Sequence, residues 1–175
     1  MADKPALTRM VNRLRNRFQI KNVAAVADRV MISKDTIKQL VEDNDSPYRY
    51  MLGCRMRRQK EVNEEVLAGA GRYQVVADNL EAKEAGVAGR TYIVCRNPGQ
   101  VIKDQADREA IIEKIQKTIA EKGPKALEGN RGCARFLKID RGSVSINPKA
   151  VEADARLDGE FVLITNTDLP AAEVA

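Results

Sequence analysis

An unbroken apolar run, VAAVA at residues 23–27, stops abruptly at the charged pair Asp28-Arg29, with a helix start just beyond at Ser33. No other feature constrains the fold so tightly. A run of this length is too short for a helix, and its valines are β-branched, so it predicts a short buried strand. The carboxyl end of a buried strand is where α/β sheets usually place their chemistry, which makes Asp28 a candidate site residue. A lone strand-end Asp is more often a helix cap or an ion-pair partner. On the residues alone both readings stand.

The flanks extend the pattern. Leu7, Met10, Val11, Leu14 and Phe18 recur at helical spacing, predicting a helix over 5–18 whose other face carries Arg9, Arg13, Arg15 and Arg17. Ser33 is a good N-cap for a second helix from Lys34, with Asp35 in its first turn and Ile37, Leu40 and Val41 as its apolar face. Asn44-Asp45-Ser46-Pro47 breaks that helix, and YRYMLG at 48–53 reads as a second short strand. Helix–strand–helix–strand predicts a parallel α/β pair joined by a crossover helix.

From Arg55 the character changes. RMRRQKEVNEEVLAGAG reads as a charged helix stopped by Gly69 and Gly71. RYQVVADNL, AKEAGV and RTYIVCR read as three short strands of alternating polarity. Asp104 is then expected to cap a long helix with an Ile111, Ile112, Ile115 and Ile119 stripe, a Glu113–Lys117 pair on its wet face, and a stop at Gly123-Pro124. A basic loop, GNRGCARFLKIDRG, leads to a short helix over 148–157, a strand in GEFVLITN, and a helix start at Asp168 with Pro170.

Composition narrows the chemistry. There is no His, which excludes imidazole bases, His-ligated zinc and His-dependent triads, and leaves Asp, Glu, Lys, Tyr and Cys. The odd, widely spaced cysteines, Cys54, Cys95 and Cys133, match neither a zinc pattern nor a disulfide framework and favour a reducing, cytoplasmic setting. With 43% hydrophobic and 31% charged residues in 175, a packed core is expected rather than disorder. No leader-like or membrane-length apolar run is present, so no membrane partner is expected. A net charge of +5 favours polyanionic partners, although aromatics at 4% and no Trp leave few platforms for stacking on bases.

Two basic clusters follow from that charge. Arg55, Arg57, Arg58 and Lys60 lie just after the second strand, and Arg131, Arg135, Lys138 and Arg141 lie in the basic loop. Such clusters are commonly solvated faces. Read functionally, they give salt-sensitive, sequence-independent phosphate contacts. GAGR at 69–72 does not match a phosphate-binding loop and reads as a turn.

Four blocks, taken in order, resemble a known family. VADRVMISKDTIKQL, YRYMLGCRMRRQKEV, YIVCRNPGQVIKDQADREAIIEKI and LDGEFVLITNTDLPAAEVA are similar to bacterial insertion-sequence transposases of the DDE type, from about Phe18 to Ala175. The ADR-MIS and DG-(strand)-TNTDL blocks are the more specific. The resemblance implies a partial RNase H-like core over 1–54, parallel strands with a crossover helix, interrupted by a mostly β, α+β insertion over 55–167. Residues 168–175 would begin the core helix that carries the catalytic Glu. It implies that Asp28 is the second catalytic Asp and a ligand of Mg²⁺ or Mn²⁺, and that Arg29, Arg55, Arg57, Arg58 and Lys60 contact DNA.

Two departures go with it. The family usually has Gly where this chain has Val30. A positive φ there would strain a β-branched residue by ~1–2 kcal/mol. The family's first Asp and its Glu would fall before Met1 and after Ala175. Two-metal phosphodiester chemistry needs several oxygen ligands, so cation binding by this chain is expected to be weak or absent and the chain inactive as it stands. The alternatives are a non-catalytic DNA-binding module, one that pairs with itself or with a full-length transposase and interferes with it, and a remnant without function.

Overall fold

The computed structural model describes residues 24–28, 49–127, 130, 132–140 and 143–175, together with Arg9, Arg13, Arg17 and Phe18, which are helical. The rest of the helix expected over 5–18, the crossover helix from Lys34, and Arg29, Val30, Tyr48, Arg131 and Arg141 lie outside the described residues. The chain divides into two compact units, 1–96 with 161–175, and 97–160.

The first unit is built on a six-stranded mixed sheet, so the chain is an α/β protein in the general sense. Its strands in chain order are β1 (Ala24–Ala27), β2 (Arg49–Gly53), β3 (Gln74–Ala77), β4 (Leu80–Val87), β5 (Arg90–Arg96) and, after the second unit, the last strand, Glu160–Thr165. In space the order is β1, β2, the last strand, β5, β4, β3. β1 and β2 are adjacent and parallel, pairing Ala24 with Arg49 through to Ala27 with Leu52. The last strand runs antiparallel to β2, with Leu52 opposite Ile164.

Two expectations change here. β1 was expected to be buried throughout, yet only Ala25 is buried and Val26 is 73% exposed. The cause is position, since β1 ends the strand order and pairs only with β2 among the described strands. The boundary expected between 54 and 55 does not interrupt the sheet, because β3, β4 and β5 continue it through the last strand. Likewise the boundary near 167 lies beyond the strand that pairs with β2.

β5 shows how burial departs from alternation. β3 and β4 keep exposed positions, but Tyr92, Ile93, Val94 and Cys95 are all buried, as a strand covered on both faces must be. One face carries Ile93 and Cys95, packed with Ala82 and with Val174 of the short helix Ala171–Val174. The charged helix expected between Arg55 and Gly69 is shorter, a turn at 56–58 followed by the π-helical segment Val62–Val66, with Val62 and Val66 buried. β4 and β5 turn tightly through Ala88 and Gly89, both at positive φ (49° and 72°), the geometry of a type I′ hairpin.

The second unit begins with helix α1 (Pro98–Lys122). Its N-cap is Asn97, whose side chain accepts the Gln100 N–H at 3.0 Å, with Pro98 in the first turn. Asp104, expected as the cap, lies in the second turn instead. Ile115 is fully buried and the Ile111, Ile112 and Ile119 stripe packs with it on Leu127, Cys133 and Phe136. The expected basic loop contains structure of its own: β6 (Leu137–Asp140) pairs antiparallel with β7 (Ser143–Ile146). Helix α2 (Pro148–Ala155) follows with the same Asn-Pro start, Asn147 accepting the Ala150 N–H. The last strand, Glu160–Thr165, is labelled β8 from here on, and the helix Ala171–Val174 is α3.

Candidate functional site

The carboxyl end of the parallel pair is the natural place to look for chemistry. Ala27 pairs with Leu52, so Asp28 comes level with Gly53, and its side chain is exposed. Asp168, the carboxylate of the TNTDL block, is at the opposite end of β2, where it pairs with Arg49 at 2.9 Å. Four residues of strand, roughly 13 Å, separate those two ends. Among the described residues no group of three or more Asp, Glu or Cys side chains is placed to hold an ion. Among the described residues, Asp28 therefore belongs to no group that would fit a two-cation centre.

The TNTD block is used to fasten β8 to β2. Asn166 accepts the Tyr50 N–H on its side-chain oxygen at 2.8 Å. The Thr165 hydroxyl donates to the Tyr50 carbonyl at 2.9 Å and accepts the Thr167 N–H at 3.0 Å. Arg49 donates to the Asn166 carbonyl at 2.7 Å besides pairing with Asp168. Asp168 with Pro170 was expected to open the last helix; Pro170 takes the N-cap position and Asp168 stays 89% exposed at its side chain.

The DG of the same block belongs to the second unit and is also structural. Arg108 pairs with Asp158, both side chains about nine-tenths buried. Asp104 accepts the Gly159 N–H at 2.8 Å, and Asn97 donates its own N–H to the Gly159 carbonyl at 2.8 Å. The turn is thus held against the first turns of α1.

The first basic cluster leads into a cavity. Arg55 is half-buried, while Arg57, Arg58 and Lys60 are exposed. Arg58 and Lys60 line a cavity of about 310 Å³ that begins at Gly53 and Cys54, the end of the sheet to which Asp28 also belongs. Its opposite wall comes from the β4–β5 hairpin. Tyr92 donates its hydroxyl to Glu61 at 3.0 Å, and Arg90 approaches the other Glu61 oxygen at 3.9 Å. Burial, with the Glu61 hydrogen bond and charge adding to it, pushes the Tyr92 phenol up to about 12. Burial does the same to the Cys54 thiol, with the nearby Glu61 charge contributing, so Cys54 stays protonated to about 12 and is no nucleophile at neutral pH.

Sequence reasoning found Arg58 and Lys60 and missed Glu61, Arg90 and Tyr92. Arg90 and Tyr92 alternate along β5, a weak signal that one face of this strand meets something polar. The second cluster does not form a comparable patch among the described residues. Arg135 lies over the Phe136 ring at 4.6 Å and pairs with Asp154 at 3.6 Å, while Lys138 is exposed on β6. All three cysteines are free and buried.

No helix among the described residues is long and apolar enough to cross a membrane. No protein-family model, curated protein or solved structure matches this chain.

Proposed function

We propose that this chain is part of a DDE-type transposase and that it meets DNA through the basic residues after β2, without cutting DNA by itself. One observation carries the reading. The resembling blocks around 22–28, 48–53 and 158–168 are far apart in the sequence, yet they supply β1, β2 and β8, three neighbouring strands. Asp28 ends the parallel pair, as the resemblance requires of the second catalytic Asp. The cavity beside Arg58 and Lys60 opens from the same end of β2.

The parent family's Mg²⁺ or Mn²⁺ would need further carboxylates grouped with Asp28, and among the described residues no group of three or more is placed to hold an ion. DNA contact does not depend on them. Arg57, Arg58 and Lys60 are exposed, and this favours the second reading, a non-catalytic DNA-binding module that acts alone, as an oligomer or beside a full-length transposase.

Supercoiled plasmid incubated with the chain and Mn²⁺ tests the proposal, alongside retention on duplex DNA at increasing salt. Expected are no nicking, and retention that weakens steeply with salt and is unchanged by Asp28→Ala. Mn²⁺-dependent nicking that disappears in Asp28→Ala would overturn the non-cutting part. Failure to retain DNA at low salt would overturn the DNA-facing part.

A further inference from the structure

The cavity between β2, the 62–66 segment and the β4–β5 hairpin has a composition that duplex contact does not explain. Arg57 is not part of its lining, whereas Arg58, Lys60 and Arg90 are. Three cations thus stand against one lining carboxylate, Glu61. That carboxylate is already engaged from the wall by the Tyr92 hydroxyl at 3.0 Å and by Arg90 at 3.9 Å. Among the described residues Lys60 is tied only to Glu64, at 3.6 Å and with both side chains exposed. The Arg58 side chain has no partner among the described residues. Gln59 accepts the Arg55 N–H at 3.1 Å with its carbonyl oxygen, which leaves its amide N–H groups to donate.

We propose that this cavity binds a single nucleotide, with Arg58 and Lys60 on its phosphate and Val62 and Ile164 offering an apolar wall to its base or sugar. The size agrees, since about 310 Å³ is at the small end of ligand cavities, which run from roughly 300 to 1,000 Å³. An arginine fork and a flexible ammonium are the side chains that suit a phosphate. Cys54 and Tyr92 both keep their protons to about 12, so the cavity is equipped for binding rather than covalent chemistry. The inference does not rest on the transposase reading, because a mononucleotide would bind whether or not the chain descends from one.

Backbone amide NMR shifts of Gly53, Gln59 and Val62 in the full chain, titrated with dAMP, deoxyadenosine and inorganic phosphate, test the proposal. Expected are saturable shifts with dAMP, weaker ones with phosphate and none with deoxyadenosine. Arg58→Ala with Lys60→Ala should weaken dAMP binding at least about tenfold, as loss of a charge-assisted hydrogen bond implies. The melting temperature of that variant should hold, because both side chains are exposed. A 5′-phosphorylated trinucleotide that binds more tightly than dAMP assigns the cavity to a DNA strand end, and one that binds no better assigns it to a free nucleotide. Unmoved amides with dAMP, equal binding of dAMP and deoxyadenosine, or undiminished binding by the folded double variant would each overturn the proposal. Duplex retention is measured separately, so its failure would count against the DNA reading alone.

Discussion

Asp104 accepts the backbone N–H of Gly159 at 2.8 Å, joining the second turn of α1 to a turn 55 positions further along the chain. Gly159 has φ +68°, and a Cβ there would come within 2.5 Å of Val101 Cγ2 and 2.6 Å of the Asn97 carbonyl oxygen. The carbonyl is backbone at a helix cap and cannot swing away. Gly159→Ala should therefore destabilise the chain by about 2–4 kcal/mol through combined φ strain and overlap. Asp104→Ala, which strands the Gly159 N–H and loses the bond from the Gln100 side-chain amide at 2.7 Å, should cost less, about 1–2 kcal/mol. Denaturant unfolding of both variants measures the order.

The β4–β5 turn offers the opposite test. Ala88 holds φ 49°, a left-handed conformation that side chains with a Cβ disfavour, beside Gly89 at 72°. Ala88→Asn gives the Asn-Gly pair that type I′ hairpins prefer and should stabilise the chain by about 0.5–1 kcal/mol. A lower melting temperature in that variant would contradict the turn assignment.

These residues also show what the sequence makes legible. Short apolar runs gave the places of β1, β2 and β8, and the Ile stripe gave α1, because both signals are local periodicities. The helix cap was misjudged at Asp104. Asp104 has a better competitor in Asn97 with Pro98, since proline fixes the φ of a first turn, and at the last helix Pro170 itself holds the N-cap. The hairpin of β6 and β7 was hidden by its charge, as Ile139 on β6 is itself 69% exposed. The cavity was half legible: Arg58 and Lys60 stand close in sequence, but Arg90 and Tyr92 join Glu61 only through tertiary packing.

Alkaline pH should destabilise the first unit. Burial raises Cys95 from 9.0 to about 12, and Cys54, with Glu61 adding to burial, by as much. Both thiols are neutral in the fold while the unfolded chain ionises them from about pH 9. Their contribution is fully present below pH 9 and is lost progressively as pH rises toward 12. Unfolding followed from pH 8 to 11 should show this decline, and Cys54→Ala with Cys95→Ala should flatten it. An unchanged slope in that variant would assign the decline to other groups.

The TNTD block should behave as a fastening. Thr165 is 2% exposed and its hydroxyl bridges the Tyr50 carbonyl and the Thr167 N–H. Thr165→Val removes those bonds and should cost about 1–3 kcal/mol. Asp168→Ala breaks only the ion pair with Arg49, whose side chains are 50% and 89% exposed, and should change stability by less than about 1 kcal/mol. Paired melts of the two variants check it, with a larger loss in Asp168→Ala as the contrary result.

The two basic clusters should separate when DNA retention and stability are measured together. Arg57 is exposed beside the cavity, and on the proposed reading it meets a phosphate. Each phosphate contact contributes about 0.9 to the slope of log affinity against log salt for duplex DNA, so Arg57→Ala should lower that slope by about one and leave the melt nearly unchanged. Arg135 covers Phe136 and pairs with Asp154, whose side chain is only 10% exposed. Arg135→Ala removes that ion pair and uncovers the ring, and should cost about 1 kcal/mol while the salt slope stays the same. Filter retention at several salt concentrations, with thermal melts of the same preparations, gives both readings. A slope that falls in Arg135→Ala and holds in Arg57→Ala would move the DNA contact from the end of β2 to the second unit.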